Sequence, residues 1–413
     1  MVKGGMFMVG IVLQGGGAKG GYQIGVWKAL RELGIEIGGV TGTSIGAING
    51  ALIVQDKFEE AYNLWYNVDP RLVIKDDPEV YKQLINLDID IKNVQMYFEY
   101  LKKIIRQKGL DIEPLKDLIE KEIDEACMRS SNIVFGLVTV SLSDLKPMEL
   151  YVKDIEEGKI KDYILASSFL PGFKSQTLDG KKFLDGGFYD NLPINLLAKK
   201  GFKEIIAVEL NAIGIEQPVK NKELVIRRIK PSGDVGKLLE FDKERSRNNL
   251  KMGYLDTMKS YGKCYGSSYY LTDIPEESVF FDKLIQLSDE QILTMGKIIG
   301  YETGYPKRLL LEVIVSELCE MLGFDRSMSY GEIVLGALEY LAAATNIERL
   351  KFYDYETFLN LILKKCAKAP QKTFDIEFMP KVLRRQSLVQ KTFKEELLMK
   401  WLVLMASKED TTS

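Results

Sequence analysis

The sequence up to about residue 275 predicts an α/β fold, a mostly parallel sheet with helices on both faces, with a separate all-helical region behind it. Three observations carry this. Unbroken apolar runs of strand length occur at Phe7 to Leu13, Ile133 to Val140 and Ile205 to Val208, and such runs read as strands buried on both faces. Segments with helical spacing separate them, so the strands need crossover connections and pair mainly in parallel. Beyond about residue 275 helical spacing continues while strand-like runs stop.

Phe7 to Leu13 opens the sheet. Glycines follow, and Tyr22 to Leu33 then sets Ile24, Trp27, Leu30 and Leu33 on one helical face, with Gly34 as the terminating residue. Gly39-Val40-Thr41 is a short second strand that runs into the turn Gly42-Thr43-Ser44-Ile45-Gly46, with a helix beginning near Ala47. Asp69 to Lys121 has helical stretches and no strand-like run, so it reads as a helical insertion over the sheet. Ile133 to Val140 and Ile205 to Val208 extend the sheet, and Lys182-Phe183-Leu184 is a short strand leading into Asp185. Ser288-Asp289-Glu290-Gln291 and Ser329-Tyr330-Gly331-Glu332 are capping boxes, in which side chain and backbone satisfy each other's free groups at a helix start. Helical patterns also cover Leu309 to Leu322, Val334 to Ala344 and Phe358 to Cys366. The expected domains are 7–262 and 275–413.

The composition is that of an ordinary globular chain: 413 residues, 46% hydrophobic and 28% charged. A formal net charge of −3 supplies no general attraction for nucleic acid, and none is expected as a partner. Cys127, Cys264, Cys319 and Cys366 show neither metal-ligand spacing nor a disulfide framework, which points to reduced thiols and a cytoplasmic setting, with no metal and no cofactor expected. Met1-Val2-Lys3-Gly4-Gly5 leads straight into the first strand rather than forming a leader. No stretch approaches the roughly 18–20 apolar residues that span a bilayer.

The chemistry begins with an absence. Gly42-Thr43-Ser44-Ile45-Gly46 is a Gly-x-Ser-x-Gly motif, the pattern of a strand-to-helix turn that exposes a serine hydroxyl, yet the chain has no histidine. The imidazole that ordinarily activates such a serine is therefore unavailable. Ser44 is either a helix cap or a nucleophile whose proton goes to an Asp, Glu, Lys or Tyr. Gly15-Gly16-Gly17-Ala18-Lys19-Gly20 lies between a buried strand and a helix, where backbone N–H groups converge on an anion. A dinucleotide site would need an acidic residue at the end of the second strand, which ends instead in Gly42-Thr43-Ser44. A phosphate loop of the Gly-Lys-Ser/Thr type would not place two glycines after Lys19. An oxyanion hole for acyl transfer fits, because Ser44 ends the next strand. Asp185-Gly186-Gly187 follows a short strand, and its two glycines allow a turn that presents the carboxylate as a base.

These motifs resemble the patatin-like lipid acyl hydrolases. That family has a glycine-rich G-G-G-x-K/R-G loop, a G-x-S-x-G elbow and a D-G-A/G motif, matched here in order by Gly15 to Gly20, Gly42 to Gly46 and Asp185 to Gly187. Ala166-Ser167-Ser168-Phe169-Leu170-Pro171 and Asp190-Asn191-Leu192-Pro193 resemble two further family segments. The matched set spans 9–198, and a looser likeness at Asn249-Leu250-x-x-Gly253-Tyr254-x-Asp256 extends it toward 262. The resemblance implies a three-layer α/β fold and a fatty-acyl ester hydrolase of phospholipase A or lysophospholipase type, acting in lipid degradation. It implies Ser44 as nucleophile, Asp185 as base, the Gly15, Gly16 and Gly17 amides as oxyanion hole, and Lys19 in an electrostatic role beside Ala18 and Gly20. Gly42 and Gly46 shape the elbow, Gly186 and Gly187 support the Asp185 turn, and 77–121 is a possible lid. The family says nothing of 275–413.

Other readings remain at this point: a nucleotide-binding protein that uses Gly15 to Gly20 for phosphate, with Ser44 as a cap, or a scaffold beside a silent hydrolase domain. Arg227-Arg228-Ile229-Lys230 and Lys243 to Lys251 read as a solvated strand edge and helix face. Lys381, Arg384, Arg385, Lys391, Lys394 and Lys400 precede or adjoin the apolar 397–405 run with Trp401. The segment Lys381 to Met405 therefore suits either packing in a helix bundle or peripheral contact with an anionic membrane.

Overall fold

The computed structural model describes residues 8–75 and 110–368, apart from 172, 175, 176, 302, 303 and 326, together with Leu398 and Trp401. The chain divides into two compact units, Met1–Tyr261 and Gly262–Ser413.

The first unit is built on a seven-stranded mixed sheet ordered β4-β3-β2-β1-β6-β7, with β5 pairing to β3. Its strands are β1 (Val9–Leu13), β2 (Ile37–Thr43), β3 (Val134–Ser141), β4 (Lys146–Tyr151), β5 (Phe183–Asp185), β6 (Glu204–Val208) and β7 (Val225–Ile229). β3, β2, β1, β6 and β7 are parallel throughout, whereas β4 and β5 run antiparallel to β3. Ile11, Val12 and Leu13 of the central strand are fully buried, as an apolar run covered on both faces requires.

One face of the sheet is covered by the helix Ile194–Lys199, whose Leu197 clusters with Val12, Ile205 and Ala207. The other is covered by α2 (Ile45–Val54), whose Gly50 lies against Val40 and Phe135. β2 extends two residues further each way than its Gly39–Thr41 centre suggests. Gly38 and Gly39 look like strand breakers, but here they make room: a Cβ at Gly39 would stand 2.5 Å from the Phe202 ring. β4 escapes sequence reading because it is a half-exposed edge strand containing Pro147, so it shows no apolar signal. β7 forms the opposite edge, where Arg228 and the following Lys230 both meet Glu209, at 2.6 and 3.0 Å, and Arg227 donates to Ser260.

The looser likeness at 249–256 has a packing reason. It lies on the helix Lys243–Ser260, which crosses α1 (Gly21–Glu32) so closely that a Cβ at Gly253 would stand 2.0 Å from the Tyr22 carbonyl oxygen. The Tyr22 hydroxyl donates to Asp256 at 3.0 Å across the same crossing. Both α1 and this helix are thereby held against the glycine loop that precedes α1.

Among its described residues the second unit is helical apart from one short parallel pair, β8 (Tyr270–Leu271) with β9 (Phe352–Tyr353). Both anticipated capping boxes form, at Ser288 with Gln291 and at Ser329 with Glu332. Leu398 and Trp401 join the buried cluster of this unit, so these two apolar side chains are committed to its core. Glu339, on the buried face of the helix Tyr330–Ala344, accepts the backbone N–H groups of Ser267, Ser268 and Tyr269 at 2.7, 3.0 and 3.0 Å. Glu339→Gln turns an amide donor toward these donors and removes the charge. It should lower the unfolding free energy of this unit by roughly 3 kcal/mol, seen as an earlier denaturant transition.

Candidate active site

The strand register of β3 brings Ser44 and Asp185 together. β4 occupies one flank of β3 from Gly136 to Ser141, so β2 and β5 share the other. β2 ends with Thr43 opposite Val138, and β5 ends with Asp185 opposite Thr139, the next rung. Ser44, the residue after Thr43, therefore abuts the Asp185 carboxylate.

Ser44 has φ 56° and ψ −126°, a backbone region that L-residues occupy at a cost and keep only when their surroundings enforce it. The enforcement is visible. Its N–H donates to Ser167 Oγ at 2.9 Å, and the Ser167 hydroxyl donates to Val138 O at 2.6 Å. The Ser167 carbonyl accepts from Gly186 N–H at 3.2 Å, so one residue braces both the elbow and the Asp185 turn. Gly42 and Gly46 permit the sharp turn itself: a Cβ at either would stand 2.2 Å from a backbone oxygen, that of Gly46 or of Leu13. The Ser44 side chain makes no cap hydrogen bond to α2, which removes the helix-cap reading.

Asp185 is buried. Its Oδ1 accepts from Gly187 N–H at 2.8 Å, while Oδ2 has no hydrogen-bond partner among the described residues. Burial pushes its pKa from 3.8 up to about 6, with the Ser44 hydroxyl and Gly187 N–H pulling it back. A base must be ionised, so kcat/KM should fall on acidification through about pH 6 and level off above it, which a pH–rate profile reads directly. Asp190 is also buried and raised to about 6, chiefly by burial. Its carbonyl accepts the Thr43 hydroxyl at 2.7 Å, so it belongs to the scaffold under the elbow.

The glycine loop departs from expectation at Gly15. Its N–H donates to Asn191 O at 3.1 Å, and the Asn191 side-chain amide donates back to Gly15 O at 3.3 Å. Ala18 N–H donates to Leu238 O and Lys19 N–H to Gly16 O. Only the Gly16 and Gly17 amides of this loop lack a partner among the described residues, so Gly15 leaves the expected donor set because its N–H is already spent. Lys19 Nζ donates to Asn211 O at 3.1 Å, and burial lowers its pKa against the opposing pull of Asp234. Lys19 lines neither space beside Ser44, which disfavours it as a base.

Two spaces meet at Ser44. The larger, about 640 Å³ including its open mouth, is apolar, walled by Leu64, Trp65, Leu115, Leu118, Leu239 and Phe241. The smaller, about 290 Å³, contains Gly15, Gly16, Asp185, Phe188, Ile213 and Leu238. Of the possible lid at 77–121, residues 77–109 lie outside the described residues. The helix Glu113–Glu122 contributes Leu115 and Leu118 to the apolar wall. Ser167 and Asn191 lie in family-like segments, but nothing in the sequence marks them or Leu238 individually as site residues.

Residues 11–198 match the family model described as Patatin-like phospholipase. Among curated relatives, the chain is 26% identical over 336 residues to patatin-like phospholipase domain-containing protein ZK370.4 of Caenorhabditis elegans, covering 77% of this chain and 22% of that protein. It is 29% identical to lysophospholipase NTE1 of Candida albicans and 31% identical to that of Debaryomyces hansenii. Those matches cover 51% of this chain in both cases, and 14% and 12% of the relatives. The chain thus spans less than a quarter of these relatives' length. The solved structure of VipD from Legionella pneumophila aligns over 98% of this chain and 93% of that one at 16% identity, with a TM-score of 0.36.

Proposed function

Because residues 11–198 match the Patatin-like phospholipase family model, we propose that the chain is a serine lipid acyl hydrolase working through a Ser44–Asp185 dyad. The observation that carries this reading is the meeting of β2 and β5 end to end on β3, which sets a strained serine against a buried carboxylate in a chain without histidine. Asp185 takes the hydroxyl proton as Ser44 Oγ bonds to the ester carbonyl carbon. The Gly16 and Gly17 amides hold the oxyanion, a role supported by their lack of a hydrogen-bond partner among the described residues. The ester C–O bond breaks as the leaving oxygen takes the proton from Asp185. Ionised again, Asp185 takes a proton from water as the water oxygen bonds to the acyl carbon; the Ser44 Oγ–carbon bond then breaks, Oγ takes the proton back from Asp185, and the fatty acid leaves. The apolar cleft suits the acyl chain, and relatives named lysophospholipase support a phospholipase A or lysophospholipase type of substrate.

A phosphate-binding loop is disfavoured: two free amides suit a single oxyanion, and Lys19 is engaged by Asn211. A fluorophosphonate probe should label the wild type and not Ser44→Ala; absence of labelling in the active-pH range would refute the reading. No disulfide joins Cys127, Cys264, Cys319 and Cys366. Among the described residues no helix is long and apolar enough to cross a membrane.

Membrane contact through Lys381 to Met405 would rest on its basic residues, since Leu398 and Trp401 are in the core. Lys381→Glu, Arg384→Glu and Arg385→Glu together should weaken binding to anionic vesicles, each lysine or arginine near such a surface contributing about 1 kcal/mol. Unchanged cosedimentation would place the contact elsewhere.

A further inference from the structure

The two spaces beside Ser44 differ in which of them contains Asp185, and the chemistry makes that difference directional. The proton held by Asp185 must reach the leaving oxygen, so the leaving group lies on the Asp185 side. The smaller space contains Asp185 and the larger does not. On the proposed acyl-hydrolase reading, the 290 Å³ space is therefore the leaving-group subsite and the 640 Å³ cleft receives the acyl chain.

The lining of the smaller space then defines what it accepts. Leu170, Phe188, Ile213 and Leu238 supply apolar walls, and Asn191 holds Gly15. Among the described residues the one charged side chain lining it is the Asp185 carboxylate, and no lysine or arginine does so. Asp190, next to Asn191 in the chain, is buried, and Glu216, three residues beyond Ile213, accepts from Gln14 at 2.8 Å. Lys19 is the nearby cation on the glycine loop, and it is directed to Asn211 O with Asp234 as its countercharge. A phosphate monoester held a few bonds from the scissile oxygen would meet a carboxylate and apolar walls, with no cation among the described lining residues to receive it. Like charges brought together in a poorly solvated site cost binding.

We propose that this subsite selects a compact leaving alcohol without net charge, so that monoacylglycerols and zwitterionic lysophospholipids are cleaved in preference to lysophosphatidate. The acyl chain does not enter this discrimination, because it occupies the other space. Ile213 and Leu238 are the positions at which a cation would reverse it.

The test compares monooleoylglycerol, oleoyl lysophosphatidylcholine and oleoyl lysophosphatidate in one neutral detergent, with the full chain. The expected result is a kcat/KM for lysophosphatidate at least about tenfold below that for monooleoylglycerol, a difference of one decade in transition-state binding. Ile213→Lys, or Leu238→Lys should the first fail to fold, should raise the lysophosphatidate to monooleoylglycerol ratio by a similar factor. Equal kcat/KM for the three esters, or a faster lysophosphatidate, would overturn the proposal while leaving the hydrolase reading intact. Absence of turnover on all three, together with absence of fluorophosphonate labelling at Ser44, would instead overturn the reading on which it rests.

Discussion

Asp185→Asn should lose activity and gain stability at once. Asparagine keeps the shape of the side chain and an oxygen for the Gly187 N–H, but it cannot take the Ser44 proton. Turnover of a lipid ester should drop on the order of 10³-fold or more, Ser44→Ala should cost a similar amount, and the double variant little more, because members of one catalytic unit are not additive. The stability effect follows from linkage. The Asp185 pKa is 3.8 in an ordinary setting and about 6 in the fold, so the fold favours the protonated form. Its contribution is fully present below pH 3.8 and is lost as the pH rises through about 6. At pH 8 wild type therefore carries a cost of roughly 3 kcal/mol, which the neutral asparagine relieves. Unfolding curves at pH 8 should show Asp185→Asn to be the more stable protein, and the difference should shrink toward pH 4. Equal stability at pH 8 would mean that Asp185 is better solvated than its burial indicates.

Gly46→Ala should damage the elbow from within. The added methyl would stand 2.2 Å from the Leu13 carbonyl oxygen, and both atoms belong to rigid elements, β1 and α2. Relief requires α2 to move away from β1, and Ser44 sits at the first bend of that helix. Overpacking of backbone against backbone should cost about 3 kcal/mol or more. A shift of the nucleophile by about 1 Å should remove about 10² from kcat, with substrate binding less affected. Thermal unfolding and a split of kcat from KM measure the two effects separately. A variant with wild-type stability and kcat would show that the elbow tolerates what its geometry excludes.

The parts of the fold legible in the sequence are those whose physics is local. β1, β3 and β6 are apolar runs because helices cover both faces of the sheet there, and the capping boxes at Ser288 and Ser329 are contained within four residues. β4 and β7 are edges, where exposure permits polar residues and erases the pattern. The elbow and the Asp185 turn were likewise readable, since each motif is contiguous. The braces between them were not. Ser167 reaches Ser44 across 123 residues and Asn191 reaches Gly15 across 176, so the hydrogen bonds that set Ser44 and remove Gly15 from the donor set exist only once the chain has folded.

On the proposed mechanism Ser44, deprotonated by Asp185, becomes covalently acylated. Mixing the full chain with excess lipid ester, quenching in acid within a turnover and measuring intact and peptide masses tests it most directly. The peptide bearing Ser44 should carry an added fatty-acyl mass, absent from Ser44→Ala and strongly diminished in Asp185→Asn. Ester hydrolysis that continues in Ser44→Ala, or an acyl adduct on a different residue, would contradict it.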